Sequence, residues 1–184
     1  MKLLIASDLH GSRLYGQQVL NLADELGVDQ LVLLGDLLYH GPRNPLPEGH
    51  DPKGLAELLN GWAAKIVCVR GNCDAEVDQM VLDFPCLADY ALLYDGDVRL
   101  YLTHGHLAGP GNLPKLTQDA SVRWVLASGH THVKMLERRG NMLLLNPGST
   151  SLPKDGSRSV ALYDQGEIKL LDLETRQVLA AEQA

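Results

Sequence analysis

Aromatic side chains are scarce in this chain: six Tyr, two Trp and one Phe make up 5% of it. A core must therefore be assembled from Leu, Val and Ala. Cysteine is also sparse. Cys68, Cys73 and Cys86 are odd in number and irregular in spacing, which excludes a disulfide framework. Positive charge is in deficit, with 16 Lys and Arg against 23 Asp and Glu and a net charge of −7. Such a surface gains little from counterion release and argues against a nucleic-acid partner. No apolar run approaches the roughly 18 residues of a membrane span. The opening MKLLIASDLHG offers only about five apolar residues before Asp8 and His10, too few for a secretory leader. The expected location is the cytoplasm, with no membrane partner.

What is present suits a single domain over residues 1–184: the chain is 45% hydrophobic, enough for a sizeable core. Short apolar runs recur, and each stops at a polar motif. KLLIA stops at SDLHG, QLVLL at GDL, KIVCVR at GNCD, RLYLT at HGH, and RWVLAS at GHTH. Runs of this length bounded by turn signals predict buried strands. Leu14, Val19, Leu22 and Leu26 predict a helix over 13–26 ending at Gly27, and GLAELLNGWAA a second over 54–64. The first half thus alternates strand and helix. The second half predicts strands at 88–94, 98–103, 124–128, 134–138, 141–145, 158–163 and 167–173. Asp95-Gly96, Arg139-Gly140-Asn141 and Gln165-Gly166 are hairpin turns between them. Two packed sheets with helices outside are expected. The Pro-rich stretch 40–52 reads as a loop, and residues 174–184 as either a last strand or a short helix.

The polar residues sit where ligands bind in α/β proteins, just beyond the carboxyl ends of strands. Asp8 and His10, Asp36, Asn72, His104, and His130 and His132 each follow a predicted strand. In extended chain, residues i and i+2 point the same way, so Asp8/His10 and His130/His132 should each offer two donors to one side. Asp36 has two oxygens with which to bridge two ions, and Asn72 offers a carbonyl oxygen. Gly11, Gly35, Gly71, Gly105 and Gly129 flank these positions and allow close backbone approach. The imidazole-rich donor set favours Mn, Fe or Zn over Ca or Mg. Seven donors suit two ions about 3.5–4 Å apart, a geometry that clamps both oxygens of an in-line displacement. Of the other histidines, His40, His50 and His106 receive no role. His104 is preferred to His106 because it directly ends its strand.

These motifs resemble the ordered pattern of the calcineurin-like metallophosphoesterase family: D-x-H, G-D, G-N-H-[DE], H and G-H-x-H. Here they read Asp8-Leu9-His10, Gly35-Asp36, Gly71-Asn72-Cys73-Asp74, His104 and Gly129-His130-Thr131-His132. Asn146-Pro147-Gly148-Ser149 is similar to a further signature, and GDLLYHGPRNPLPEG with RGNCDAEVDQM resembles the YfcE-type small bacterial phosphodiesterases. The resemblance implies an α/β class fold, a four-layer α/β/β/α sandwich of two mixed sheets. It implies one ion on Asp8, His10, Asp36 and His132, and another on Asp36, Asn72, His104 and His130. Manganese is the expected metal, with Fe, Zn, Ni or Co as alternatives. Many members have His where Cys73 stands, a residue thought to protonate the leaving group. A thiol does not replace an imidazolium acid, so Cys73 is read first as space-filling, and good leaving groups such as aryl diesters should be favoured.

The expected reaction is hydrolysis of a phosphate diester by a hydroxide bridging the two ions. Asn72, Cys73 and Asp74 form the catalytic turn, with Asp74 orienting it. Arg43 and Asn44, in the loop after Asp36, are the candidate substrate contacts, with Arg13 a weaker one. The expected partner is a small phosphodiester, and homo-oligomerisation stays open. The alternatives are a non-catalytic, metal-binding interaction scaffold of the same fold, and a nuclease.

Overall fold

The computed structural model describes residues 1–116 and 121–184. Its strands are β1 (Lys2–Ala6), β2 (Gln30–Leu33), β3 (Ile66–Cys68), β4 (Tyr90–Asp95), β5 (Val98–Thr103), β6 (Arg123–Ala127), β7 (Met135–Arg139), β8 (Met142–Asn146), β9 (Ser159–Asp164), β10 (Glu167–Asp172) and β11 (Val178–Gln183). The α-helices are α1 (Arg13–Leu26), α2 (Pro52–Asn60) and the single turn α3 (Glu76–Gln79). Residues 40–51 hold neither strand nor helix, as expected.

The strands form two mixed sheets, ordered β11-β10-β9-β1-β2-β3 and β4-β5-β6-β8-β7. Strands β1, β2 and β3 are mutually parallel, joined through α1 and α2. The three predicted turns close antiparallel pairs β4/β5, β7/β8 and β9/β10. Strands β5, β6 and β8 are parallel to one another, a relation no turn signal encodes. The tail resolves as a strand, β11, antiparallel to β10.

Alternation along β1 shows how the layers stack. Leu4 and Ala6 join Leu31, Leu33 and Val160 against Val19 and Leu22 of α1 and Leu55 and Leu59 of α2. Their neighbours Leu3 and Ile5 join Val32 and Tyr163 against Leu100, Val125 and Leu143 of the other sheet. Each of these strands is buried on both faces and so reads as a continuous apolar run. The outer face of the second sheet holds a smaller group, Trp124, Leu126, Met142 and Leu144, with Leu116 packed against it.

Two helices depart from expectation in detail. Ser12 caps α1 by accepting from the Tyr15 N–H at 3.3 Å, and Gly27 ends it at φ 61°. From that start Tyr15, not Leu14, faces inward: Leu14 is 39% exposed, Tyr15 3%. Helix α2 begins two residues early because Pro52 occupies its first turn and Asp51 caps the Gly54 N–H at 3.0 Å. It stops at Gly61, and Ala63–Lys65 continues as a 3₁₀ turn. Leu31→Ala, at a fully buried point of the helix-facing core, is expected to cost about 2–5 kcal/mol, read by urea denaturation.

Candidate metal centre

Five of the seven predicted donors lie in left-handed backbone just beyond their strands. Asp8 (φ 58°), His10 (48°), Asp36 (55°), His130 (70°) and His132 (60°) all lie where L-residues are rarely found. The extended-chain argument for pairing Asp8 with His10 and His130 with His132 is therefore corrected: β1 ends at Ala6 and β6 at Ala127. Left-handed kinks aim these side chains. The loops after β1 and β2 run together through Asp8 N–H to Gly35 O (3.1 Å), His10 N–H to Asp36 O (2.9 Å) and Gly11 N–H to Leu37 O (2.8 Å). The close approach expected of the flanking glycines holds at Gly71, where a Cβ would collide with Asp36, and at Gly129, where it would collide with Ser7.

Three imidazoles are oriented by backbone carbonyls. His10 Nδ1 bonds Tyr39 O at 2.9 Å, His104 Nδ1 bonds Leu34 O at 2.7 Å, and His132 Nδ1 bonds Leu152 O at 2.7 Å. A carbonyl only accepts, so Nδ1 carries the hydrogen and Nε2 of the neutral ring presents a lone pair. The Nε2 atoms of His10 and His132 lie 3.1 Å apart. Asp8 Oδ1 is 3.7 Å from the first and 3.2 Å from the second, and is buried with no hydrogen-bond partner. Asp36 Oδ2 lies 3.7 Å from His10 Nε2 and 3.5 Å from His104 Nε2. His104 Nε2 is also 3.1 Å from Asn72 Oδ1. Crowded lone pairs around an orphaned carboxylate oxygen repel one another unless a cation lies among them. Asp8, His10 and His132 form one group with metal-holding geometry, and Asp8, Asp36 and His104 another. The donors thus fit divalent metal ions: Asp8 belongs to both groups, and Asp36 Oδ2 lies between His10 and His104.

His130 stands apart from these groups. Its ring is 5.1 Å from His104, centroid to centroid, and it lines the open cleft. That cleft, about 470 Å³, is also lined by Asp36, Arg43, Asn44, Asn72, Cys73 and Lys154. Both candidate substrate contacts are therefore at the cleft; Asn44 Nδ2 is already bonded to His40 O at 2.9 Å. Arg13 lies elsewhere, beside Asp51. His106 packs 5.4 Å from His104, ring to ring, and its buried Nδ1 has no partner. Asp74 lies beneath the turns. Its carboxylate accepts from Gly71 N–H (2.7 Å), Asp36 N–H (2.8 Å) and Leu37 N–H (2.8 Å), so it ties the Asn72-Cys73 turn to the Asp36 loop. Cys68 and Cys86 are core residues.

Sequence reasoning passed over the supports of Asp8. Ser7 Oγ donates to Asp8 Oδ2 at 2.6 Å, and Ser149 and Ser151 hydroxyls donate to its carbonyl at 2.8 and 2.9 Å. Asn146 Nδ2 holds the Gly129 carbonyl at 2.8 Å. The Asn146–Ser149 signature was the one visible sign of this second layer of contacts.

Burial raises the Asp8 carboxyl, but His10, His132 and His104 more than offset it and hold it well below the usual carboxylate range. Burial disfavours charge on His104 as well, yet the Asp36 and Asp8 carboxylates push it up to about 9. Burial and the nearby Asp36 carboxylate push the Cys73 thiol up to about 12. Below pH 9 a metal-free His104 keeps the proton that an ion must displace. Affinity for a divalent ion is therefore expected to rise between pH 6 and 8, with proton release on binding read by calorimetry in buffers of different ionisation enthalpy.

Comparison with known proteins shows the family and the fold. A profile of the calcineurin-like phosphoesterase superfamily domain matches residues 1–167. The chain is 48% identical to phosphodiesterase YfcE of Escherichia coli over 181 residues, 98% of this chain and 96% of that one. It is 27% identical over 97% of its length to all of YsnB of Bacillus subtilis, a probable metallophosphoesterase. The solved structure of E. coli YfcE superposes with a TM-score of 0.94, covering 100% of this chain and 99% of that one at 46% identity. Vacuolar protein sorting 29 of Cryptosporidium parvum shares the fold at TM-score 0.66 and 18% identity, covering 100% and 97%. The chain belongs to the calcineurin-like phosphoesterase superfamily.

Proposed function

We propose that the protein hydrolyses small phosphate diesters at a centre of two divalent ions, manganese foremost. The carrying observation is the placement of the Asp36 carboxylate between His10 Nε2 and His104 Nε2, at 3.7 and 3.5 Å. Asp8, His10, His132 and Asp36 would hold one ion; Asp36, Asn72 and His104 would hold the other, with His130 completing it from the cleft side. Such ions supply Lewis acidity and lower the pKa of water.

The chain's own groups do the rest. Asp74 and the Ser7, Ser149 and Ser151 hydroxyls keep the Asp36 and Asp8 turns from relaxing. Arg43 sits where it can pair with a phosphate oxygen in the cleft. A Cys73 thiol pushed up to about 12 is a poor proton donor to a leaving alkoxide. Diesters with acidic alcohols, such as aryl esters, are therefore preferred. The full set of seven donors weighs against a purely structural, protein-binding role for the same fold. The acidic composition weighs against a nuclease.

Metal-stripped protein refilled with Mn²⁺ is expected to hydrolyse bis-p-nitrophenyl phosphate faster than p-nitrophenyl phosphate. Asp36→Asn and His130→Ala are expected to lower both bound metal and turnover, by about 10-fold or more. Unchanged metal content and rate in both variants would refute the ligand assignment. Cys73→Ala is expected to keep metal and at least about a third of kcat, as a space-filling side chain should; loss of turnover with metal retained would give the thiol a chemical role.

A further inference from the structure

The polar cleft has an apolar neighbour. On the other side of Cys73 lies a groove of about 710 Å³, its surface mainly apolar and walled by Leu38, Tyr39, Val77 and Val81, with Lys53, Glu57 and Asp78 also lining it. Cys73 lines both hollows. Its Sγ lies within 4.8 Å of donor atoms of His10 and Asp36, so the groove starts one side chain away from the candidate metal centre. Tyr39 joins the two in another way: its carbonyl holds His10 Nδ1, and the same residue lines the groove. Tyr39, Val77 and Val81 are 45%, 64% and 50% exposed, a concentration of open apolar surface beside a charged site. The volume falls within the roughly 300–1,000 Å³ of small-ligand pockets.

A phosphodiester carries two organic groups, and the cleft that faces the phosphate is lined by Arg43, Asn44, Asn72, His130 and Lys154. That lining suits the anionic phosphate and offers little to an apolar group. We propose that the groove beyond Cys73 is a subsite for an apolar, ring-sized ester group of the substrate, the phosphate lying in the polar cleft. The assignment rests on the phosphodiesterase reading above. It makes Cys73 the partition between the two subsites, and it gives a diester a hold that a phosphate monoester of the same alcohol lacks when its single organic group is directed to solvent.

The test uses the Mn²⁺-loaded protein and inhibition of bis-p-nitrophenyl phosphate turnover by dimethyl phosphate and by diphenyl phosphate. Burial of one phenyl ring predicts that diphenyl phosphate inhibits at about 10-fold lower concentration or better. The neutral double variant Val77→Asn/Val81→Asn changes two exposed side chains and adds no charge near the phosphate. It should leave the circular dichroism spectrum and the dimethyl phosphate inhibition constant unchanged, and shrink the preference to about threefold or less. Equal inhibition by the two diesters, or a preference that survives the double variant, overturns the subsite and leaves the groove to a protein segment or a second copy of the chain. Absence of any Mn²⁺-dependent turnover would overturn the phosphodiesterase reading itself, and the subsite with it.

Discussion

Three backbone carbonyls, those of Leu34, Tyr39 and Leu152, govern the arrangement of the candidate metal centre. Each takes the Nδ1 hydrogen of a histidine and turns its other nitrogen inward. The bonds also cross the sandwich. His104 follows β5 of one sheet but is held by Leu34, which follows β2 of the other. Asp8, after β1, is steadied by Ser149 and Ser151 from beyond β8. The edge where the two sheets meet is thus laced by polar contacts, while their facing surfaces are joined by apolar packing. Orienting contacts of this kind fix ring direction and raise the basicity of the free nitrogen.

Much of this was legible in the chain. A strand buried on both faces has to be an apolar run, so the ends of β1, β2 and β6 announced themselves where the run met polar residues; β3 and β5, half-buried at alternate or outer positions, showed the same break less sharply. The hairpin turns did likewise. What stayed hidden was relational. Nothing local states that β5, β6 and β8 lie parallel, because no short turn joins one to the next; β7 itself falls between β6 and β8. Helix α3 spans four residues, too few for a periodicity to register. The inward shift from Leu14 to Tyr15 follows from where Ser12 starts the helix. The donors follow the carboxyl ends of their strands, as expected, but the reason given for pairing Asp8 with His10 and His130 with His132 did not hold: kinked backbone, not strand alternation, aims these side chains. Asp74 reads from the sequence as the residue that orients the Asn72-Cys73 turn; which groups it holds, three backbone N–H donors from two loops, is written nowhere in the local sequence.

Cys73 connects these observations. Its N–H donates to Asp36 Oδ1 at 2.8 Å, so its backbone helps fix the carboxylate between His10 and His104. Its side chain stands between a polar hollow and an apolar one. Gly41, across the cleft, is close enough that a Cβ there would press on the sulfur at 3.2 Å. Glycine at position 41 thus leaves the sulfur its room.

The left-handed backbone at Asp8, His10, Asp36, His130 and His132 has an evolutionary consequence. Each such residue stores about 1–3 kcal/mol of strain, and glycine would release much of it. The side chains that make the site are therefore the ones the fold alone would discard. Under selection for thermal robustness without selection for turnover, these positions would drift toward glycine or asparagine first, and the scaffold would harden as it fell silent.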